Sequence, residues 1–157
     1  MAIVPTTELS KDSAKIQYNH YEKGDHMANF ASLLPKTTTY WKTDEIFFIK
    51  HTNFFITMEE AYAIGELLKE AHRDKETSAI VIDNREAKGA WTQEVNKVWI
   101  EVSMEFNHRI PKKVATLTSD VIATMQINRL TRNNGAEKMS KAFCSDFDES
   151  VRAFLRG

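Results

Sequence analysis

The chain has 157 residues, 42% of them hydrophobic and 27% charged, which is the composition of an ordinary globular domain and gives no sign of a disordered or membrane class. Its 21 lysines and arginines against 22 acidic residues leave a formal charge of −1, so no global field favours nucleic acid or anionic lipid, and no apolar stretch approaches the roughly 18 residues that a membrane span needs. The single cysteine, Cys144, excludes an internal disulfide, and the amino terminus lacks a charged segment followed by a long apolar run, so the expected setting is a reducing cytoplasm.

Residues 1–36 keep to no period. Thr6, Thr7, Ser10, Asp12 and Ser13 form a polar run, and Gly24 and Pro35 punctuate the remainder of the segment. This segment reads as an amino-terminal extension, partly disordered or packed on a partner, with a short helix over 12–22 as its one candidate element. Residues 37–157 read as the domain proper. Thr38 to Trp41 is β-prone, Lys42-Thr43-Asp44 reads as a tight turn, and Glu45 to His51 carries the apolar run Ile46 to Ile49, which together predict an antiparallel hairpin.

At Thr57 the period changes. Thr57-Met58-Glu59-Glu60 has the form of a capping box, and Ala61, Ile64, Leu67, Leu68 and Ala71 then recur at helical spacing up to about Arg73. Ala79-Ile80-Val81-Ile82 is a continuous apolar run of the kind found in strands covered on both faces. Thr92 can cap a helix striped by Val95, Val98, Trp99, Val102 and Phe106, with its stop near Arg109 or Ile110 because Pro111 comes next. The cycle repeats with a strand over Lys113 to Leu117, a helix from Val121 through Asn133 closed by Gly135, a weaker strand over Met139 to Cys144, and a last helix presenting Val151, Phe154 and Leu155. The fold class predicted is α/β: a five-stranded, mostly parallel mixed sheet with an initial β-hairpin and four flanking helices.

In open α/β sheets ligands bind beyond the carboxyl ends of the strands. The richest loop there is 84–92, which with Asp83 offers Asn84, Arg85, Trp91 and Thr92; the plainer reading makes Asp83 and Arg85 a local salt bridge and Thr92 a cap. Phe54 and Phe55 precede a helix and form, with Trp91 and Met104, the candidate lip of an apolar pocket, against the alternative that they plug the end of the sheet. Cys144 reads as a small core residue rather than a reactive thiol. None of the five histidines stands in a recognised ligand motif, so no metal and no cofactor is expected. Arg129 and Arg132, beside Asn128, Asn133 and Asn134, suit a helix carboxyl end and are too few to signal nucleic-acid binding.

Three stretches together resemble the STAS domain family in its SpoIIAA-like branch: Glu45-Ile46-Phe47-Phe48-Ile49 leading to the capped helix at Thr57; Ala79 to Arg85 as a central strand ending in an acidic residue; and Lys113 to Leu117, Met125 to Leu130, Phe143 and Ala153-Phe154-Leu155 as a closing half. The resemblance implies a regulatory or ligand-sensing module that acts through protein contacts without catalysis. Phosphoswitch members of that family carry a serine within a pattern close to Asp-Ser-Ser-Gly at the start of the helix after the central strand. Here Lys88-Gly89-Ala90-Trp91-Thr92 stands in its place, leaving Thr92 as the one candidate phosphorylation site. The leading functional expectation is therefore a non-enzymatic interaction module whose partner is a protein. The alternatives are a carrier or sensor of a small apolar or lipid-like ligand, and a small enzyme using Asp83, Arg85 or Cys144; association into a homodimer is left open.

Overall fold

The computed structural model describes residues 31–106 and 111–157. Most of the expected extension, its helix over 12–22 and the helix stop near Arg109 or Ile110 lie outside the described residues. The end of the extension belongs to the fold: Leu34 packs on the core, Pro35 is buried, and the Pro35 carbonyl accepts from the Thr38 N–H at 3.0 Å.

The elements run in the order β1 (Thr38–Thr43), β2 (Ile46–His51), α1 (Met58–Arg73), β3 (Ala79–Asp83), α2 (Gln93–Phe106), β4 (Lys113–Leu117), α3 (Val121–Asn133), β5 (Ser140–Phe143) and α4 (Glu149–Arg156). The five strands lie side by side in chain order, β1 antiparallel to β2 and all later neighbours parallel. The α/β architecture read from the sequence is thus the one observed.

The hairpin turn sits later than the sequence suggests. Thr43 pairs with Ile46, so Asp44 and Glu45 make the turn, with φ of 51° and 69°. The right-handed twist of two paired strands favours a two-residue turn with positive φ at both positions, and the β-prone Lys42 and Thr43 extend the ladder instead of turning.

α1 begins at a complete capping box, in which the Glu60 N–H donates to Thr57 Oγ1 at 3.1 Å and the Thr57 N–H donates to Glu60 Oε1 at 2.9 Å. At its other end the Lys112 ammonium donates to the carbonyls of Ala71 (3.0 Å) and Asp74 (2.6 Å), placing a cation where the helix dipole is negative. The Asp74 carboxylate ties this corner to the sheet by accepting from Lys42 Nζ at 2.8 Å and from Thr77 Oγ1 at 2.7 Å. Burial alone would raise the Asp74 carboxyl, but these donors outweigh it and hold the group below the usual carboxylate range.

α3 lies against the edge strand β5, and α1 and α2 pack side by side on one face of the sheet. There Phe47, Ile49 and Ile80 pack with Ala63, Leu67 and Ala71 of α1. α2 stacks beside α1, with Val95 and Val98 against Ala61, and the helices approach closely at Gly65, where a Cβ would lie 3.3 Å from Val98 Cγ1. α4 takes the opposite face, burying Val151 against Val81, Ala115 and Leu117. Each fully buried aliphatic or phenyl side chain of these two layers contributes roughly 1.5–3 kcal/mol.

The outer edge of the sheet is closed by a side chain. Asn128 of α3 accepts from the Ala142 N–H at 2.8 Å and donates to the Ala142 carbonyl at 3.0 Å, imitating a sixth strand for one residue of β5.

Candidate functional site

The carboxyl ends of β2 and β3 open into two loops that are zipped together. The Phe54 N–H donates to the Lys88 carbonyl at 2.9 Å and the Lys88 N–H to the Thr52 carbonyl at 3.2 Å, a short parallel bridge between residues 53 and 88. The Asn53 side chain turns the first loop by accepting from the Phe55 N–H at 2.8 Å. Gly89 has φ +86°, and a Cβ there would sit 2.6 Å from Phe55 Cε2, so only glycine suits both the backbone and the ring lying on it. The Phe55 ring is 73% exposed yet held in place from below.

Behind this rim is an aromatic cluster on the helical face. Phe54 and Trp91 lie with ring centroids 4.2 Å apart, and Trp91 meets His51 and Trp99 edge-on, each at 5.3 Å. His51 is 3% exposed, and its Nδ1 stands 2.9 Å from Thr38 Oγ1. Burial pushes its pKa down to about 4 against the opposing pull of the Asp83 charge, so the imidazole is neutral at pH 7.

The ionic half of the site lies toward the other face. Arg85 donates from Nε to Asp83 Oδ1 and from Nη2 to Asp83 Oδ2, each at 2.9 Å, a bidentate pair, and its Nη1 reaches Asp146 in the loop after β5. Burial works to raise the Asp83 carboxyl, but Arg85 and the more distant Lys50 hold it below its ordinary range; the Asp83 hydrogen bond chiefly raises the Arg85 pKa. Lys50 itself pairs with Glu86 at 3.0 Å. The Asn84 N–H donates to the Leu117 carbonyl at 2.9 Å, while its side-chain Oδ1 is enclosed without a hydrogen-bond partner.

Of the residues singled out from the sequence, the structure gathers Phe54, Phe55, Asp83, Asn84, Arg85, Trp91 and Thr92 at one end of the sheet. Phe54 and Trp91 fill space against each other, whereas Phe55 turns outward. Thr92 caps α2, its Oγ1 accepting from the Val95 N–H at 3.2 Å, and is exposed. Met104 is not with them: at about 1.5 Å per residue it lies roughly 16 Å along α2 from the first turn, and it is 68% exposed. Cys144 is also exposed, which corrects its reading as a core residue; β5 ends at Phe143, and that ring takes the inward position. Among the described residues no group of three or more His, Cys, Asp or Glu is placed to hold a metal ion. No described helix is long and apolar enough to cross a membrane.

Four residues outside the candidate set carry weight in the structure, three of them at this end of the sheet and Asn128 at the β5 edge. His51 continues the inward alternation of Phe47 and Ile49, so a period of two could have found it. Gly89 is the only glycine in its loop and marks a backbone need. Asp146 reaches Arg85 across 61 residues of sequence and Asn128 meets Ala142 across 14, and neither partnership leaves a local signal. As an assembly the end of the sheet is a largely internally paired surface with one projecting ring. Comparison with family models, with curated proteins and with solved structures finds no match for this chain.

Proposed function

We propose that this chain is a non-enzymatic regulatory module of the STAS type that docks a protein partner on the rim formed by the loops after β2 and β3. The observation that carries this reading is Phe55. A ring that is 73% exposed, seated on a glycine whose Cβ would strike it and fixed by an Asn53 turn, is already in its binding geometry and loses little freedom when covered. Large aromatic anchors of this kind supply much of the energy of protein interfaces. The surrounding charges favour docking over chemistry, because Arg85 is engaged by Asp83 and Asp146 and the His51 imidazole is enclosed.

A photo-crosslinking residue at position 55, introduced in cells, tests the proposal. A discrete protein adduct, whose partner is then bound by the purified wild type and about tenfold or more weakly by Phe55→Ala at unchanged melting temperature, is the expected result. Equal binding by the two proteins, or a native mass spectrum in which the freshly purified chain carries a small apolar molecule released by Phe55→Ala, would replace the docking reading. Replacing Thr92 with Glu in the same assay asks whether negative charge at the start of α2 regulates the contact.

A further inference from the structure

α3 buries no residue completely, and the side it turns outward is apolar and cationic together. Ala123, Thr124, Ile127, Asn128 and Thr131 are half-buried, and Asn128 holds Ala142 of the edge strand, which fixes the packed side of the helix. On the opposite side Ile122, Met125, Arg129 and Arg132 follow one another at spacings of three and four residues, forming a single crest with Val121 beside it. Val121, Ile122 and Met125 are 61%, 63% and 64% exposed, and Leu130 flanks them at 57%. Arg129 and Arg132 are exposed, and neither makes an ion pair among the described residues.

Residues 121–136 contain no aspartate or glutamate, so the local field is positive although the whole chain is near neutral. Beyond them Glu137 and Lys138 offset each other, and the Asp120 carboxylate is engaged as the cap by the Ile122 N–H. Bare aliphatic side chains in one stripe with unpaired guanidinium groups call for a partner that is anionic and apolar at once. A nucleic acid would meet the two cations and leave the aliphatic chains in water. A protein partner would find little to hold: a helix of 13 residues presents a crest about 20 Å long and about 10 Å wide, roughly 200 Å² of projected face, against the ~800 Å² per partner of a standard interface. An anionic bilayer fits both halves of the crest. It deforms around a convex helix, takes in a few aliphatic side chains at the acyl boundary, and draws cations to its headgroups. We propose that α3 seats the chain reversibly on an anionic phospholipid surface, with Val121, Ile122 and Met125 entering the acyl boundary and Arg129 and Arg132 reaching the phosphates. The crest shares no residue with the Phe55 rim, so the proposal stands independently of the partner read there.

Co-sedimentation of the full chain with phosphatidylcholine vesicles, with and without about a third phosphatidylserine, tests it. The wild type should bind the phosphatidylserine vesicles about tenfold or more tightly than the neutral ones, and less tightly as salt rises. Ile122→Ser/Met125→Ser should weaken that binding about tenfold, and so should Arg129→Gln/Arg132→Gln, both at unchanged melting temperature because all four side chains are exposed. Arg129→Lys/Arg132→Lys, which keeps the charge, should bind nearly as the wild type does, and Phe55→Ala should bind equally well, which separates this surface from the rim. A wild type that ignores phosphatidylserine vesicles overturns the proposal, as does binding that both weakened pairs retain. Binding lost with the arginines but kept by Ile122→Ser/Met125→Ser would reduce the contact to bare charge and overturn it too. A discrete protein adduct captured in cells by a photo-crosslinking residue at position 125, from a chain that leaves vesicles unbound, would assign the crest to a protein and equally overturn it.

Discussion

Acidification below pH 6.5 tests the burial of two histidines directly. His51 and His72 are 3% and 9% exposed, and both pKa values are pushed down from 6.5 to about 4. For His51 the cause is burial, against the opposing charge of Asp83; for His72 it is burial, reinforced by the Lys112 and Arg73 cations and opposed by Glu105. The His72 ring also stacks on Phe106 at 4.9 Å, and its Nδ1 donates to the Leu68 carbonyl at 3.1 Å. Because the folded state holds these rings neutral while the unfolded chain protonates them near 6.5, the unfolded state binds more protons and stability rises with pH across that interval. The contribution is fully present above pH 6.5 and is lost as pH falls toward 4. A shift of about 2.5 units is worth roughly 3 kcal/mol per ring in full, of which about 2 kcal/mol per ring is gone by pH 5. Asp74 and Asp83, held below 3.8, contribute stability that is lost only at lower pH and leave this window to the histidines.

Urea unfolding at half-unit steps from pH 7.5 to 4.5 should show free energy falling by up to about 1.4 kcal/mol per pH unit for each ring. His51→Leu should sacrifice about 1 kcal/mol at pH 7, where Thr38 loses its partner, and flatten the slope by one proton's worth. An NMR titration placing the His51 ring near 6.5 would refute the reasoning. So would an unfolding slope that His51→Leu leaves unchanged.

Gly89→Ala should cost about 1–2 kcal/mol from its positive φ, plus whatever displacing the Phe55 ring adds; in a Phe55→Ala background only the backbone share should remain, and a double-mutant cycle with no coupling would show that ring and glycine do not meet. Asn128→Ala should cost about 1–3 kcal/mol in chemical denaturation and leave the β5 edge open to association, while Asn128→Asp, which keeps the acceptor and loses the donor, should fall between; a neutral Asn128→Ala would mean the edge is satisfied otherwise. Glu45→Gly should gain about 0.5–1 kcal/mol in thermal unfolding, because glycine relieves the positive φ and the carbonyl that accepts from the Ser78 N–H is kept; a loss would indicate that the turn is not of this type.

The elements that could be read from sequence are those fixed by local chemistry. Thr57 and Glu60 declare the start of α1, Asp120 caps α3 through the Ile122 N–H, Asp148 caps α4 through the Val151 N–H, and Ile80 and Val81 lie in a short apolar run of the kind found in strands covered on both sides. The site was legible at Asp83, Arg85 and Thr92 in their plainer roles, as a neighbouring salt bridge and a cap, since each partner lies within three residues. It was illegible where the partners arrive from other strands. Phe54 and Phe55 are equivalent in sequence, yet one packs on Trp91 and the other faces outward, because the bridge to Lys88 fixes which way each points. Met104 shares the composition of a pocket lip but stands at the far end of its helix, a placement that apolar character alone does not reveal.

Strand order also explains why so short a helix as α4 suffices for the second face. With strands in sequence order, crossovers of the usual hand return over one side, and among the described residues the opposite side is covered by the chain that continues past the last strand. That chain offers an eight-residue helix, far narrower than a five-stranded sheet. Aromatic rings extend its reach. From β5 outward Phe143 meets Phe154 at 5.8 Å, with Lys113 5.0 Å over the Phe154 ring and donating to the Phe154 carbonyl. Toward β1, Phe147 meets Phe48 edge-on at 5.3 Å, Phe48 stacks on Trp41 at 5.2 Å, and Arg152 covers Phe147 at 4.4 Å. This accounts for the bulk of Trp41 and Phe48 at the hairpin: where no described helix arrives, the strands supply their own cover, and large flat rings do so with the fewest residues.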